Sequence, residues 1–221
     1  MAKRELQQRA LALRKEGKSY MQIRELLDVS KGTLSIWLRD YPLSETRLRE
    51  LRDWNERRIE KYRKTRQKTR ERLLESIYKS EKTHILPLLK RDLFVGGLFL
   101  YWGEGSKSRM TELRMANTDP GVIKAFIKWL ILLGIKRSKI KIRLYLYRDM
   151  NIREELLFWK NELSISPKQF LRPHIKKGLQ RDITYKSGFK HGTCNAIVGD
   201  AMLSKQTLMG LQVLRDYFMR L

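Results

Sequence analysis

The stretch LFVGGLFLYWGEG, residues 93–105, is an apolar run that ends in a carboxylate held between two glycines. It is long enough for a buried helix and too short for a membrane span. Gly96 and Gly103 lie seven apart, on one face of such a helix, and leave no Cβ there, so another backbone could come close. Gly105 suits the left-handed residue that ends many helices. Glu104 would then sit at the negative end of the helix dipole, where a carboxylate is disfavoured unless a cation lies nearby. The residues before this run read as a separate unit, and those after it as the remainder of one α+β domain.

The composition narrows the partner. Lys and Arg total 48 against 24 acids in 221 residues, a formal charge of +24. Such an excess repels itself unless a polyanion binds, and nucleic acid is the expected one. An acidic membrane surface is the weaker reading, because no extended basic amphipathic anchor is present and no apolar run reaches spanning length. The N-terminal MAKRELQQ has no apolar core of a signal peptide, so a cytoplasmic, nucleoid-associated protein is expected. One cysteine, Cys194, permits no internal disulfide, and three dispersed histidines assemble no zinc cluster. No small-molecule cofactor is expected.

Residues 1–42 are read as three short helices. Leu6, Ala10 and Leu13 share one helical face, Gly17 ends the first helix, and Ser19 with Gln22 forms a capping box for the second. Ser30 caps a third helix that turns Leu34, Trp37 and Leu38 inward. The segment LRKEGKSYMQIRELLDVSKGTLSIWLRD resembles the homeodomain-like helix-turn-helix of resolvases, transposases and many regulators. That resemblance implies that the third helix enters the major groove, offering Lys31, Thr33, Ser35, Ile36 and Arg39.

Residues 43–91 are read as a long basic helical linker. No glycine or proline interrupts the chain from Ser44 to Lys82, and a single helix there would span roughly 58 Å. Its segment RKTRQKTRER, residues 63–72, has no apolar side chain and one acid, Glu71. It is either a solvated face or a helix lying along phosphates through Arg63, Lys64, Arg66, Lys68 and Arg70. Pro87 should break it before the next helix.

Residues 92–221 alternate strands and helices. The pattern predicts a strand at 112–116, a helix capped by Thr118 or Asp119 and ending at Gly134, a strand at 139–147, a helix at 152–163, strands at 169–176, 180–186 and 191–198, and a final helix from about 200. The strand at 139–147 is the clearest: Ile140, Ile142, Leu144 and Leu146 point one way, and Lys139, Lys141, Arg143, Tyr145 and Tyr147 the other. No acid interrupts the second face, which favours a nucleic-acid surface over a merely solubilising one. Arg172, His174 and Lys176 extend it. The histidines lack metal-ligand spacing.

GLFLYWGEG, residues 97–105, resembles the motif of LAGLIDADG homing endonucleases. Leu100, Glu104 and Gly105 match its second leucine, its acid and its closing glycine, while Phe99 and Trp102 are bulkier than the pattern. LYWGEG followed by Ser106-Lys107, a strand and Asn117-Thr118-Asp119-Pro120 is similar to a divergent bacterial branch that often carries an N-terminal helix-turn-helix. The resemblance implies an antiparallel saddle sheet backed by helices and seated on double-stranded DNA. With one motif per chain it also implies a homodimer paired through Gly96, Phe99, Leu100 and Gly103. It further implies Mg²⁺ bound by Glu104 and the Gly103 carbonyl for phosphodiester cleavage. Lys107 and Lys141 are candidate partners for transition-state charge, and Arg109 a candidate DNA contact. Two other readings stay open: a non-catalytic transcriptional regulator on the same fold, in which Glu104 is a helix-end carboxylate paired with Lys107 or Arg109, and an RNA-binding accessory protein.

Overall fold

A computed structural model of the chain describes residues 2–51, 54–179 and 191–221. The chain divides into two compact units, Met1–Pro87 and Leu88–Leu221. The strand expected at 180–186 lies outside the described residues.

The first unit holds α1 (Ala2–Lys15), α2 (Tyr20–Leu27), α3 (Lys31–Trp37), α4 (Glu45–Glu50) and α5 (Trp54–Ile85). Gly17, at φ +85°, makes the turn after α1, a backbone state that costs glycine little. The Ser19 and Gln22 side chains form the expected capping box, and Ser30 Oγ accepts from the Thr33 amide at 3.2 Å. Ala10, Ile23, Leu27, Leu34 and Leu38 make the core.

The single helix expected from Ser44 to Lys82 is two. Leu51 adopts extended backbone and turns into a small cluster with Leu43 and Leu48. The Arg57 guanidinium donates to the carbonyls of Arg49 and Leu51, both at 2.7 Å, and so satisfies groups left free at the end of α4. Its 32 residues make α5 roughly 48 Å long.

The second unit runs α6 (Lys90–Glu104), β1 (Glu112–Asn117), α7 (Pro120–Leu132), β2 (Lys141–Leu146), α8 (Ile152–Leu163), β3 (His174–Ile175), β4 (Thr193–Gly199) and α9 (Ala201–Phe218). Asp119, Asn151 and Asp200 cap α7, α8 and α9 through their side chains. The strands lie in the order β1-β4-β2-β3. β4 is antiparallel to β1 and β2, but β3 is parallel to β2, so the sheet is mixed rather than the expected antiparallel saddle. The reason is local. The 169–176 segment opens in a 3₁₀ turn at Pro167–Gln169, touches β2 at an isolated parallel bridge between Ile142 and Phe170, and pairs as a strand at Tyr145↔His174 and Leu146↔Ile175.

One sheet face is the core. Leu113, Met115, Ile142, Leu144, Leu146, Cys194, Ala196 and Val198 are buried in one cluster with Tyr101, Phe126, Trp129 and Trp159. Tyr101 stacks on Phe126 and on Trp129, with ring centroids 5.9 Å apart in each pair. The glycines of the motif helix do not act as expected. A Cβ on Gly96 or Gly103 would meet nothing within 4 Å, whereas one on Gly97 would lie 1.8 Å from the Trp129 ring. Gly105 is not left-handed; its backbone is extended, and a Cβ there would lie 2.3 Å from the Tyr101 ring. Close helix and strand packing, not a turn, requires glycine at 97 and 105.

Candidate nucleic-acid interface

In the first unit α3 presents exposed Lys31 and Ile36 and half-buried Ser35, the turn after it presents exposed Arg39, and Leu34 and Leu38 are buried. Ile36 is 68 % exposed, an apolar side chain with no core role. The Thr33 hydroxyl lies 2.9 Å from Ser30 Oγ and so belongs to the cap.

A buried ion pair fixes α5 beside these helices. Arg14 donates to Glu60 Oε1 at 3.0 Å and Oε2 at 2.8 Å, and the Tyr20 amide adds a third hydrogen bond to Glu60 Oε1 at 3.1 Å. The carboxylate therefore sits at the N-terminus of α2, where the helix dipole favours it. Arg14 also holds the carbonyls of Tyr41 and Lys18. The Arg63 guanidinium lies 3.8 Å from the Tyr20 ring centroid. Burial pushes the Tyr20 phenol above its usual range, and Arg63 and Arg14 pull it partly back.

With α5 held there, a cleft of about 1070 Å³ lies between α3 and α5. Its lining contains Lys31 and Arg39 from the α3 side and Arg58, Arg63, Arg66 and Arg70 from α5, and no acid among the described residues. Arg63, Arg66 and Arg70 were among the expected contacts; Arg58, Tyr62 and Tyr20 were missed. Lys64 instead pairs with Glu45, whose carboxyl it holds below the usual range. Lys68 falls on the opposite side of α5 from the cleft, since it is two residues from both Arg66 and Arg70 and at about 100° per residue points about 160° away from each.

In the second unit the other sheet face carries the expected row. Cross-strand pairing sets Arg114, Ile197 and Lys141 side by side, then Ala116, Asn195 and Arg143, then Thr193, Tyr145 and His174. Lys141, Arg143 and His174 are exposed. Tyr145 and His174 are in ring contact at 5.4 Å, and Lys176 Nζ lies 4.6 Å from the Tyr147 centroid. Arg172 is exposed beside them. Asn195 is buried on this face; its Nδ2 donates to Tyr145 Oη at 3.4 Å and its Oδ1 has no partner. Lys139 lies in a 3₁₀ turn before β2, not in the strand. His191 contacts the buried Glu155 at 3.2 Å and stacks on Phe158, a structural role.

Glu104 ends α6, exposed, and accepts one hydrogen bond from Asn117 Nδ2 at 3.3 Å. Neither expected neighbour neutralises it. Lys107 Nζ donates to the Gly105 carbonyl at 3.0 Å, and Arg109 pairs with Glu112 at 3.4 Å. Nor does Lys141 join it: Asn117 is level with Leu144 across β4, while Lys141 stands three residues away along β2 on the opposite face. Among the expected dimer contacts, Gly96 and Gly103 are open, Leu100 packs on the core edge, and Phe99 stacks on Trp102 with centroids 6.1 Å apart and meets Phe218 edge-on. Among the described residues no three His, Cys, Asp or Glu side chains gather as a metal cage.

Residues 1–48 match the profile of the homeodomain-like domain family. The matched region is the helix-turn-helix, with α3 in the place of the recognition helix, and it points to DNA binding. No curated protein and no solved structure matches the chain. Among the described residues no helix is long and apolar enough to cross a membrane.

Proposed function

We propose that the chain is a sequence-reading, duplex-DNA-binding protein in which α3 enters the major groove and the cationic sheet face of the second unit adds phosphate contacts. The observation that carries this reading is the row Lys31, Ser35, Ile36 and Arg39 on a matched helix-turn-helix unit. Lysine and arginine suit guanine edges, serine is permissive, and an exposed isoleucine suits a thymine methyl. Fluorescence anisotropy on a random 30-base-pair duplex should show a binding constant that falls steeply with salt. A salt-insensitive constant would overturn the reading.

A second reading, metal-dependent cleavage of the LAGLIDADG type by a homodimer, is favoured by the state of Glu104. An exposed carboxylate at a helix C-terminus, without an ion pair among the described residues although Lys107 and Arg109 are close in sequence, is disfavoured as a purely structural group. One carboxylate with the Gly103 carbonyl fits Mg²⁺, which keeps several waters and takes substrate phosphates. When bound, that ion would supply an activated water and stabilise the leaving oxygen. Glu104 and Gly103 would hold it, and a second chain approaching over the open Gly96 and Gly103 would bring a second Glu104. Plasmid-library cleavage in Mg²⁺ should be lost in Glu104→Gln with duplex affinity kept or tightened. A dimer on DNA that never cuts in Mg²⁺ or Mn²⁺ leaves the regulator.

A further inference from the structure

We infer that the cleft between α3 and α5 seats one sugar-phosphate strand of the duplex, so that α5 is the second wall of the DNA site rather than only a spacer. The inference rests on the DNA-binding reading and adds the strand-binding wall to it. The α5 wall is periodic: Arg58, Tyr62, Arg66 and Arg70 follow one another at four-residue steps, which keep side chains on one face of a helix. The facing wall is Lys31 and Ser35, one helical turn apart on α3, and Arg39 from the turn that follows it.

The chemistry of the lining selects a phosphate strand. Six of its eleven described residues are Lys or Arg, none of them is an acid that would repel phosphate, and guanidinium groups suit phosphate oxygens. From Arg58 to Arg70 the α5 wall extends roughly 18 Å, the axial length of about five phosphates in one strand. Among the described residues Ile59 is the one aliphatic side chain in the lining, so the cleft offers little apolar surface with which to fix the side chains of an acidic peptide. The position of the wall is built in, because Glu60, between Arg58 and Tyr62, is locked to Arg14 and to the α2 amide.

The test compares two charge-matched pairs in the full chain. Arg66→Ala/Arg70→Ala removes two cations from the cleft; Lys68→Ala/Arg72→Ala removes two exposed cations from the far side of α5. Each lost phosphate contact lowers the slope of log affinity against log salt by about 0.9, so the cleft pair should lower it by about 1.8. The loss of affinity between 50 and 200 mM salt then shrinks about twelvefold. The far-side pair should leave the slope near wild type, and Arg66→Lys/Arg70→Lys should restore it. Equal slopes for the two alanine pairs, the result also expected of an acidic-peptide cleft, would overturn the inference while wild-type binding stands. Absence of salt-dependent duplex binding by the wild type would instead bring down the DNA-binding reading itself.

Discussion

Replacing Glu60 with alanine tests how α5 is fixed beside the three-helix unit. The side chains of Arg14 and Glu60 are 2 % and 5 % exposed, and Glu60 accepts three hydrogen bonds. Removing the carboxylate leaves a guanidinium without its countercharge and the Tyr20 amide without its acceptor. Breaking a buried pair from one side costs about 3 to 5 kcal/mol. At about 1.4 kcal/mol per tenfold, amide protection in α1 and α2 should fall by roughly two to three and a half orders of magnitude. Native-state hydrogen exchange of the full chain, read on peptides within residues 4–51, measures this unit by itself. The double replacement Arg14→Met/Glu60→Met should lose much less than the two single changes together, because it leaves no buried charge. A Glu60→Ala loss below tenfold would show that the pair does not hold α5, and the cleft would lose its fixed second wall.

Three further outcomes follow from the second unit. Gly97→Ala drives a methyl into Trp129 and should cost about 1 to 3 kcal/mol in urea unfolding, while Gly96→Ala, with open space, should be neutral or stabilise by up to about 1 kcal/mol; the reverse order would refute the packing of α6 on α7. Cys194 is buried and burial pushes its thiol far up, so iodoacetamide should label it only after unfolding; rapid labelling of the native protein would contradict that. Burial also raises the Tyr101 phenol, whose Oη donates to the Ser106 carbonyl at 2.5 Å. Its folded pKa lies above the unfolded one, so the stabilising contribution is full below about pH 10 and is lost as pH rises through the folded value. Tyr101→Phe should therefore flatten the alkaline decline of the second unit's stability, and an unchanged slope would contradict the assignment.

What the sequence disclosed was what depends on near neighbours. The capping box at Ser19 and Gln22, the helix stop at Gly17 and the caps of α3 and α7 are settled within a few residues. The alternation of Lys141 to Leu146 likewise sorts itself into a buried and an open face. The break after α4 was hidden because no glycine or proline marks it; it depends on Leu51 entering a cluster and on Arg57 reaching back to two carbonyls. The parallel β3 was hidden because two residues of pairing leave no pattern. Gly97 could not be told from Gly96 without knowing that Trp129 lies against it.

The cleft shows the same division. Its cations at 63, 66 and 70 stood out within a basic run, but which of that run's residues face α3 is decided by an ion pair across 46 residues. A signal existed. Arg14 stands four residues after Ala10, on the buried face of α1, where only a paired charge is tolerated. Glu60, an acid within a basic helix, was its natural partner.

The claim that α3 reads duplex DNA is tested most directly by selecting binding sites from a random duplex library with wild type and with Ser35→Ala and Ile36→Ala. The wild type should enrich a defined motif. Each variant should relax or change one or two of its positions, by about 1 to 3 kcal/mol where a base contact is lost, with the salt slope unchanged because neither residue is charged. A wild type that enriches nothing, or variants that recover the same motif at the same strength, would contradict the account.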